Sequence, residues 1–449
     1  MMDLSTLAQD LLTAAKARGC DECEVYAIAG DSATLTAYEG QIDRCDVSQS
    51  CGISLRIRQN GVVGSAFSEQ LSPEMFPWLI DRARAQTEYL EEKQAPFFEG
   101  SRDYVKIEQD LQPLQAYTPE QKVEHVLALE NLCRADARVE RVLHCTLSSS
   151  LSNSVLANTA GLHTAQEHGL CYAYAQPLLP DSNTRREGFA YRVGFAPEAL
   201  QLSALAEEAV AFGASFLGAK PCAGGQYPIV FGPDAFIDLF STFMGVFSAE
   251  NAQKGLSLLA GREGQCIAAK CVTLVDDPHL KNGLASRSFD GEGVATYRKS
   301  IIENGVFRVL LHNRKTAEKA GCATTANARR AGYSGGLGIA PTNCFLQPGT
   351  LTQAELFAQA QTGLYVVDVS GLHAGCNTVS GDFSVLVKGF LIEHGRLGQP
   401  VVQVTVAGNF YTMLQDIAAV GSDLRFGMPQ GGCYGSPSIL TSPLAVAGD

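Results

Sequence analysis

The residues of this chain that most readily bind metals or act as nucleophiles are eight histidines and fourteen cysteines, spread over 449 positions. The densest group of potential metal ligands is His163, Glu167 and His168. On a helix, His163 and Glu167 would share one face at i,i+4 spacing and form a plausible ligand pair. The surrounding sequence instead alternates as a strand, which directs His163 and Glu167 to one side and His168 to the other. We therefore favour a solvated strand face over a metal site here.

The cysteines contain a single Cys-x-x-Cys motif, Cys20-Asp21-Glu22-Cys23. A structural zinc site would need a second pair, and a redox motif would place its second cysteine at the start of a helix, whereas the residues around Cys23 alternate like a strand. Most other cysteines, such as Cys145 and Cys171, lie in apolar, strand-like runs and behave there as small hydrophobic residues. The sequence has no Walker A loop, no His-Glu-x-x-His motif and no Gly-x-Gly-x-x-Gly motif between a strand and a helix. Motifs alone therefore assign no hydrolase, NTPase or dehydrogenase chemistry.

Composition excludes several classes of protein. Hydrophobic residues make up 46% of the chain, which is enough to form cores and excludes a disordered chain. Acidic residues outnumber basic residues by 47 to 34, and the resulting net charge of −13 disfavours nucleic acid or an anionic membrane as a partner. The sequence has no run of about 18 apolar residues and no basic segment at its start, so we expect a cytoplasmic protein.

The pattern of the first half predicts an α+β fold with helices and a mostly antiparallel sheet. Leu4 to Ala15 follow helical spacing, and Gly19 ends that helix. Asn60-Gly61 predicts a tight hairpin turn, and Ser72-Pro73 and Thr118-Pro119 each predict a helix start. The predicted strands cover 22–28, 32–38, 41–49, 52–58, 62–68, 139–148, 152–158, 162–168, 169–177 and 188–195, and a last helix covers 197–217.

A stretch rich in glycine and alanine at 218–225 has the composition of a linker, so we predict two domains, 1–221 and 222–449. The second domain begins with a strand at 227–231 and an apolar helix at 233–247, and continues as strands and turns with one late helix near 352–361. We expect it to be β-rich and barrel- or sandwich-like. Asn304-Gly305 and His394-Gly395 each follow an apolar strand and a glutamate. This pattern indicates either a faint internal duplication or the same turn chemistry used twice, and we favour the second.

Short motifs run through the second half in a fixed order. They are Gly255-x-Ser257-x-Leu259, Asp276-Asp277-Pro278, Phe289-Asp290-x-Glu292-Gly293, Ile302-Glu303-Asn304-Gly305, Asn327-Ala328-Arg329-Arg330, Pro341-Thr342-Asn343, Ser380-Gly381-Asp382-Phe383-Ser384, Ala407-Gly408-Asn409 and Val420-Gly421-Ser422-Asp423. In order and spacing these motifs resemble the TldD/PmbA family, also called the modulator-of-gyrase family. The first half fits as well, so the resemblance covers essentially the whole chain.

The resemblance implies a choice between two branches of that family. The TldD branch is similar to a zinc metallopeptidase with a His-Glu-x-x-x-His motif on the helix after the first strand of the second domain, and with a cysteine ligand near the C-terminus. Counting back from Gly255, the residues at the two histidine positions and the glutamate position are Phe240, Gly245 and Ser241. Cys433 lies in the region of the cysteine ligand, and we interpret it as a loop cysteine. The chain therefore resembles the PmbA/TldE branch, which lacks the metal motif.

For that branch the resemblance implies a subunit of a two-chain cytosolic zinc metallopeptidase that processes or degrades unfolded peptides, with this chain shaping the peptide chamber. The partner would be a TldD-type subunit, which would carry the zinc, or a second copy of the chain. We expect no cofactor in the chain itself. Two alternatives stay open: a stand-alone homodimeric peptide-binding protein without catalysis, and a self-sufficient hydrolase that uses His163, Glu167 and His168 or Cys433.

Two groups of residues are candidates for binding. Asn377, Ser380, Gly381, Asp382 and Phe383 combine polar side chains with a glycine that permits close backbone approach, so we predict that they face peptide. An ordinary turn that holds the sheet is the alternative. Arg329 and Arg330 are candidates to contact a peptide carboxylate or acidic groups of a partner, and the alternative is an exposed pair without a role.

Overall fold

The computed structural model describes residues 3–448, which form two compact units. Unit 1 contains the chain up to Ala214 together with Ser288–Ala295 and Ala328–Gly338. Unit 2 contains Ser215–Arg287, Thr296–Asn327 and the chain from Ile339 onwards. Helices account for 25% and strands for 40% of the chain, which confirms the α+β class. A division into independently folding domains at residue 222 stays a prediction.

Unit 1 is built on one antiparallel sheet with strand order β3-β2-β1-β4-β5-β6, and β7 also pairs with β5. Its strands are β1 (Glu22–Tyr38), β2 (Gln41–Gln59), β3 (Val62–Ser68), β4 (Arg141–Asn158), β5 (His163–Asp181), β6 (Thr184–Glu187) and β7 (Ala190–Gly194). Its helices are α1 (Leu4–Ala17), α2 (Phe76–Gln86), α3 (Gln112–Gln115), α4 (Pro119–Arg134) and α5 (Leu202–Ala214).

Turns and caps in unit 1 agree with the sequence. Asn60 and Gly61 both have positive φ, 51° and 84°, as a type I′ hairpin turn requires. Thr118 caps α4 in a capping box with Gln121, because the Thr118 side chain accepts from the Gln121 N–H while the Gln121 side chain accepts from the Thr118 N–H. Both predictions are confirmed.

The predicted strand lengths were wrong. The segments predicted as 22–28 and 32–38 form the single strand β1, and β2, β4 and β5 each merge two predicted strands in the same way. Gly30, at the predicted break in β1, lies so close to β4 that a Cβ there would be 2.8 Å from the Cβ of Ser152. The glycine therefore permits close strand approach and does not end the strand.

Two hydrophobic cores lie on the same face of this long sheet. Val25 belongs to the core under α1 and α2, and Leu35, ten residues further along β1, belongs to the core under α4 and α5. Because alternate residues of a strand share a face, both side chains point to the helical side. Between the two cores, Ala29 and Ala33 are only partly buried. The helices therefore cover the two ends of the sheet and leave its middle open.

The β2 edge of the sheet is also open, beside the partly exposed middle of β1. β3 pairs with β2 only from Ile53 to Gln59. Between Gln41 and Gly52, the corresponding edge of β2 has no strand partner within residues 3–448. Every residue of β2 from Asp43 to Ser50 is exposed. An open strand edge offers unpaired backbone N–H and C=O groups to another strand.

Unit 2 contains a closed barrel, which confirms the prediction of a β-rich, barrel-like second half. Its five strands follow the order β17-β16-β15-β8-β21, and pairing of β17 with β21 closes it. A second sheet has the order β11-β10-β9-β14-β20-β19. The strands from β8 onwards are β8 (Gly225–Phe231), β9 (Leu274–Asp276), β10 (Lys299–Glu303), β11 (Val306–Phe307), β12 (Ala328–Arg330), β13 (Leu337–Ile339), β14 (Asn343–Leu346), β15 (Gly363–Ser370), β16 (Asp382–Glu393), β17 (Arg396–Asn409), β18 (Ile417–Val420), β19 (Arg425–Phe426), β20 (Cys433–Ser436) and β21 (Ile439–Ala447). Of these, β12 belongs to unit 1.

The helices of unit 2 are α6 (Pro233–Phe243), α7 (Ala249–Gln253), α8 (Arg314–Ala320), α9 (Gln353–Ala360), α10 (Leu372–Gly375) and α11 (Phe410–Gln415). The late helix predicted near 352–361 is α9. The prediction that it is the one helix after residue 247 was wrong, because α7, α8, α10 and α11 are too short to show helical periodicity in the sequence. The apolar helix predicted at 233–247 ends at Phe243 and continues as a 3₁₀ turn, Met244–Phe247. Within residues 3–448, no helix is long and apolar enough to cross a membrane.

Candidate functional site

The helix α6 carries the first candidate position, Phe240, and buries it. Phe240 is 1% exposed, and its ring stacks on Phe236 with 5.9 Å between centroids. On its other side, the Phe410 ring lies 6.3 Å away. Phe243 stacks on the same Phe410 ring at 4.6 Å. The side chain at position 240 therefore lies inside an aromatic cluster of the core of unit 2.

The other two positions of the resemblance, Ser241 and Gly245, follow on the same segment. The Ser241 hydroxyl donates to the backbone carbonyl of Asp238 at 3.0 Å. Gly245 lies exposed in the 3₁₀ turn after α6, and its carbonyl accepts from the Asn251 side-chain amide at 2.9 Å. The three positions thus supply a buried phenyl ring, a hydroxyl that is already hydrogen bonded and no side chain. These groups do not fit a zinc ion, which prefers imidazole, thiolate and carboxylate ligands.

Carboxylates on α6 were missed by the sequence reasoning. Desolvation, together with the nearby charges of Asp234 and Asp368, raises the pKa of Asp238 to about 6 even though its side chain keeps contact with solvent. Asp234 is paired with Arg425 at 3.2 Å, and Asp368 with Lys388 at 3.5 Å. The i,i+4 spacing of Asp234 and Asp238 is the signal that could have identified this group. The ion pairs of Asp234 and Asp368 indicate that this part of unit 2 presents a charged surface.

The interpretation of Cys433 as a loop cysteine was wrong, because it begins β20 and is 0% exposed. Its thiol points to the carbonyl of Gly427 at 3.6 Å. Burial raises the pKa of Cys433 to about 12, so the thiol stays protonated at neutral pH. A protonated, sealed thiol is a poor metal ligand, since metals bind the thiolate. Cys23 is similar: its thiol donates to the carbonyl of Cys20 at 3.4 Å, and burial raises its pKa to about 12.

His163, Glu167 and His168 all lie on β5 with exposed side chains. Register with β4 places His163 opposite Ala157, Glu167 opposite Asn153 and His168 opposite Ser152, so His168 is on the other face. Within the part of the chain that the structure describes, no group of three or more His, Cys, Asp and Glu side chains is arranged to hold a metal ion.

The candidate peptide loop 377–383 is a turn stabilised by its own side chains. Asn377 Oδ1 accepts from the N–H groups of Val379 and Ser380, and the Asn409 amide donates to the Ser380 carbonyl and to Asp382, each at 2.9 Å. The Ser380 hydroxyl also donates to Asp382, at 2.8 Å, and the side-chain hydrogen bonds from Asn409 and Ser380 lower the pKa of Asp382. Asn377 and Asp382 are exposed. A peptide could therefore reach their side chains without opening the core.

Two residues of the same loop face inward. Gly381 has φ +85°, and a Cβ there would be 2.5 Å from the Tyr411 ring. Phe383 is 2% exposed and lies edge-on to Phe243 at 6.4 Å. Contact between peptide and these two residues would have to use their backbone.

Arg329 and Arg330 differ although they are neighbours on β12. Arg329 is exposed. Arg330 is 7% exposed, donates to Glu24 at 2.5 Å and to the Gly291 carbonyl at 2.7 Å, and lies over the Tyr26 ring. Burial opposes ionisation of Glu24, but Arg330 and Arg56 hold its pKa below the ordinary value. Arg330 is thus used inside unit 1, and Arg329 is the member of the pair that can contact a partner.

Several of the sequence motifs meet at one buried carboxylate in unit 2. Asp276 is 0% exposed, and Lys299 Nζ lies 3.2 Å from its Oδ2. Asn327 donates to the same oxygen at 2.8 Å, and the Thr342 N–H donates to Oδ1 at 2.7 Å. The motifs around Asp276, Asn327 and Thr342 therefore form one hydrogen-bonded framework, which the sequence could not show because the residues lie far apart in the chain.

The long antiparallel sheet of unit 1 and the closed five-stranded barrel of unit 2 define the chain as an α+β protein of two units. The model of the PmbA/TldA metallopeptidase C-terminal domain matches residues 224–448, and that of the central domain matches residues 112–214. The chain is 23% identical to Metalloprotease PmbA of Escherichia coli O157:H7 over 415 residues, which cover 90% of this chain and 88% of that protein.

Solved structures agree. A Thermotoga maritima protein described as a modulator of DNA gyrase has a TM-score of 0.91 at 28% identity, and the match covers 99% of this chain and 100% of that one. TldE from Thermococcus kodakarensis has the same fold, with a TM-score of 0.90 at 24% identity, covering 98% of this chain and all of the other. The chain belongs to the PmbA/TldD metallopeptidase family.

Proposed function

We propose that the chain is a PmbA/TldE-type subunit of a two-chain cytoplasmic zinc metallopeptidase that processes or degrades unfolded peptides. In this proposal a TldD-type subunit binds the zinc and cleaves, and this chain helps to shape the peptide chamber. The observation that carries the proposal is the position of Phe240 inside an aromatic cluster, where the family's catalytic branch has a histidine. A phenyl ring has no donor atom with which to bind a zinc ion.

The open edge of β2 supports association through unit 1. An extended strand of a partner or a peptide can add to residues 41–52 by main-chain hydrogen bonds. The exposed Asn377, Asp382 and Arg329 are the side chains that we propose face peptide or partner. The net charge of −13 supports peptide and protein partners over nucleic acid or an anionic membrane.

The proposal is tested by preparing the chain alone, a TldD-type chain alone and an equimolar mixture. Zinc is measured by elemental mass spectrometry, and cleavage of an unfolded peptide library is followed by mass spectrometry. We expect substoichiometric zinc and no cleavage for this chain alone, and cleavage by the mixture that exceeds cleavage by the TldD-type chain. Stoichiometric zinc with turnover by the chain alone would contradict the proposal.

A stand-alone homodimer that binds peptide without cleaving it is the second candidate. It is favoured by the exposed charges of β2, because antiparallel pairing of two copies centred on Cys45 places Arg44 of each copy opposite Asp46 of the other. Gel filtration of labelled chain with and without a TldD-type subunit separates the two candidates. A homodimer that never exchanges its subunits favours the second, and formation of a mixed dimer favours the first.

A further inference from the structure

An exposed cysteine and a buried histidine form a pair in unit 2. Cys322 follows α8 and is exposed, and its Sγ lies 3.8 Å from Nε2 of His312. His312 is 5% exposed. Its backbone is held by two threonines, since its N–H donates to Thr325 Oγ1 at 2.6 Å and its carbonyl accepts from Thr324 Oγ1 at 3.1 Å. The imidazole is therefore fixed while the sulfur remains accessible.

The hydrogen bonds around His312 indicate which of its nitrogens carries the proton. Thr316 Oγ1 donates its own proton to the Asn313 carbonyl at 3.2 Å. The same oxygen lies 3.2 Å from His312 Nδ1, so it accepts from an Nδ1–H. In the neutral ring, Nε2 then carries the lone pair, and this lone pair faces Cys322 Sγ. Burial lowers the pKa of His312, which favours the neutral ring at neutral pH.

Other exposed cysteines have different neighbours. The Cys266 thiol points to the carbonyl of Ala268 at 3.4 Å, and the Cys271 thiol points to the carbonyl of Ile417 at 3.6 Å. A carbonyl accepts a hydrogen bond from the thiol but cannot take its proton, so it favours the unreactive form. Cys322 instead faces a base that is itself oriented by a third group, as activated nucleophiles require.

We propose that Cys322 and His312 form a reactive thiol site that exchanges with small disulfides. His312 Nε2 takes the proton of the Cys322 thiol, and the thiolate attacks one sulfur of a disulfide RS–SR. The bond between Cys322 Sγ and that sulfur forms while the RS–SR bond breaks, and the leaving thiolate takes the proton from His312. The products are the mixed disulfide on Cys322 and one RSH, and the reverse reaction with a free thiol restores Cys322.

The position of the pair connects it to the segment that follows α6. Leu311, which precedes His312, donates to the Phe247 carbonyl at 2.8 Å and accepts from the Ala249 N–H at 2.9 Å. The Gln253 side chain on α7 donates to the Thr316 carbonyl at 2.8 Å. These contacts join the segment that carries His312 to the 3₁₀ turn that contains Gly245 and to α7. The thiol site does not depend on the proposed metallopeptidase partnership.

The test uses the reduced full-length chain and oxidised glutathione at pH 7. Samples are quenched with acid over time, and peptide mapping by mass spectrometry gives the rate of mixed-disulfide formation at each cysteine. We expect Cys322 to react about tenfold or more faster than Cys266, which serves as the matched exposed control. Equal rates at Cys322 and Cys266 in the unmodified chain would overturn the proposal without any variant.

A substitution tests the role of the imidazole. His312→Gln keeps a polar side chain and removes the base, and we expect the Cys322 rate to fall about tenfold while the Cys266 rate stays unchanged. If circular dichroism shows that His312→Gln does not fold, Thr316→Val removes the oxygen that orients the ring, and we expect a smaller fall at Cys322 alone. An unchanged Cys322 rate in folded His312→Gln would show that His312 is not the base, and an unchanged rate in folded Thr316→Val would show that an oriented ring does not activate the sulfur.

Discussion

The sheet of unit 1 and the barrel of unit 2 differ in whether the edges of their strands are paired. In the barrel, pairing of β17 with β21 joins the ends of the sheet, so each of its five strands has a neighbour on both sides. In unit 1, the β2 edge from Gln41 to Gly52 has no strand partner within residues 3–448. A partner strand can therefore extend the sheet of unit 1, whereas the barrel can contact a partner through its loops and outer side chains.

The interiors differ in the same sense. Unit 2 encloses a continuous apolar core that includes Phe231, Phe240 and Phe410. The sheet of unit 1 has two separate cores with a partly exposed band between them. Substitutions in the core of unit 2 should therefore affect stability, and substitutions on the open edge of β2 should affect association.

The largest effect is expected at Phe240. Because this ring is 1% exposed and packs on Phe236 and Phe410, Phe240→Ala should lower the free energy of unfolding by about 3–5 kcal/mol, measured by urea denaturation. Leu258→Ala is the control, since Leu258 is 53% exposed and its loss should change the stability by less than about 0.5 kcal/mol. A loss below about 1 kcal/mol for Phe240→Ala would contradict the packed core.

A smaller effect is expected at the buried carboxylate of each unit. Lys299→Met leaves Asp276 without its cation, but Asn327 and Thr342 still donate to it, so we expect a loss of about 3 kcal/mol. In unit 1, Arg56→Met should be milder, at about 1–2 kcal/mol, because Glu24 keeps Arg330.

Arg298→Met is the matched control for Lys299→Met. Arg298 neighbours Lys299 and pairs with Asp277, the neighbour of Asp276, at 3.3 Å, but the Arg298 side chain is 53% exposed. An exposed ion pair contributes at most about 1 kcal/mol. Equal losses for Lys299→Met and Arg298→Met in urea denaturation would show that burial of Asp276 does not determine the effect.

Features set by neighbouring residues were the ones that the sequence predicted. Asn60-Gly61 forms its turn and Thr118 its capping box because a few adjacent residues determine each. The break predicted between residues 28 and 32 was wrong, because β1 pairs there with β4, a distant part of the chain. A Cβ on Gly30 would meet Ser152 of β4.

The candidate site shows the same division. The resemblance identified positions 240, 241 and 245, but the burial of Phe240 depends on Phe410, which periodicity cannot assign to it. Arg330 was predicted as a contact for anions or a partner, and its pairing with Glu24 was not visible because the two residues are remote in sequence. His312 and Cys322 are ten residues apart, and only the turn after α8 brings the sulfur to the ring.

The open edge of β2 is expected to control association with little effect on stability. Val47 is 72% exposed on this edge, so Val47→Asp should change the free energy of unfolding by no more than about 1 kcal/mol. In pairing of two copies centred on Cys45, the new carboxylate would lie opposite Asp43 of the other copy, and like charges directly opposite each other destabilise a strand pair. We therefore expect weaker dimerisation, measured by sedimentation velocity of the chain alone and with a TldD-type subunit.

Leu386→Asp is the matched control for the edge variant. Leu386 is 48% exposed on β16, where pairing with Ser370 of β15 and Thr405 of β17 leaves no free edge. This variant adds the same charge and should leave association unchanged. If both variants weaken association equally, then added charge, not the open edge, is responsible.

The smallest effect is expected from Asp238 and depends on pH. Its folded-state pKa of about 6 lies above the ordinary value of 3.8, so the folded chain holds this proton more tightly than the unfolded chain does. Stability is therefore lost as pH rises from about 4 to 6. Asp238→Asn should remove this loss and stabilise the chain above pH 6 but not below pH 4, by less than about 1 kcal/mol because solvent screens an exposed side chain.

Thermal unfolding of the parent chain and of Asp238→Asn between pH 4 and pH 7.5 measures the difference in their stability. Glu318→Gln on α8 removes one negative charge from another exposed position and controls for the effect of net charge, which is −13 in the parent chain. The gain for Asp238→Asn should grow with pH and exceed that of Glu318→Gln above pH 6. If both variants gain the same stability at every pH, the electrostatic repulsion that they relieve comes from the net negative charge of the whole surface. It would then not come mainly from Asp234 and Asp368 acting on Asp238.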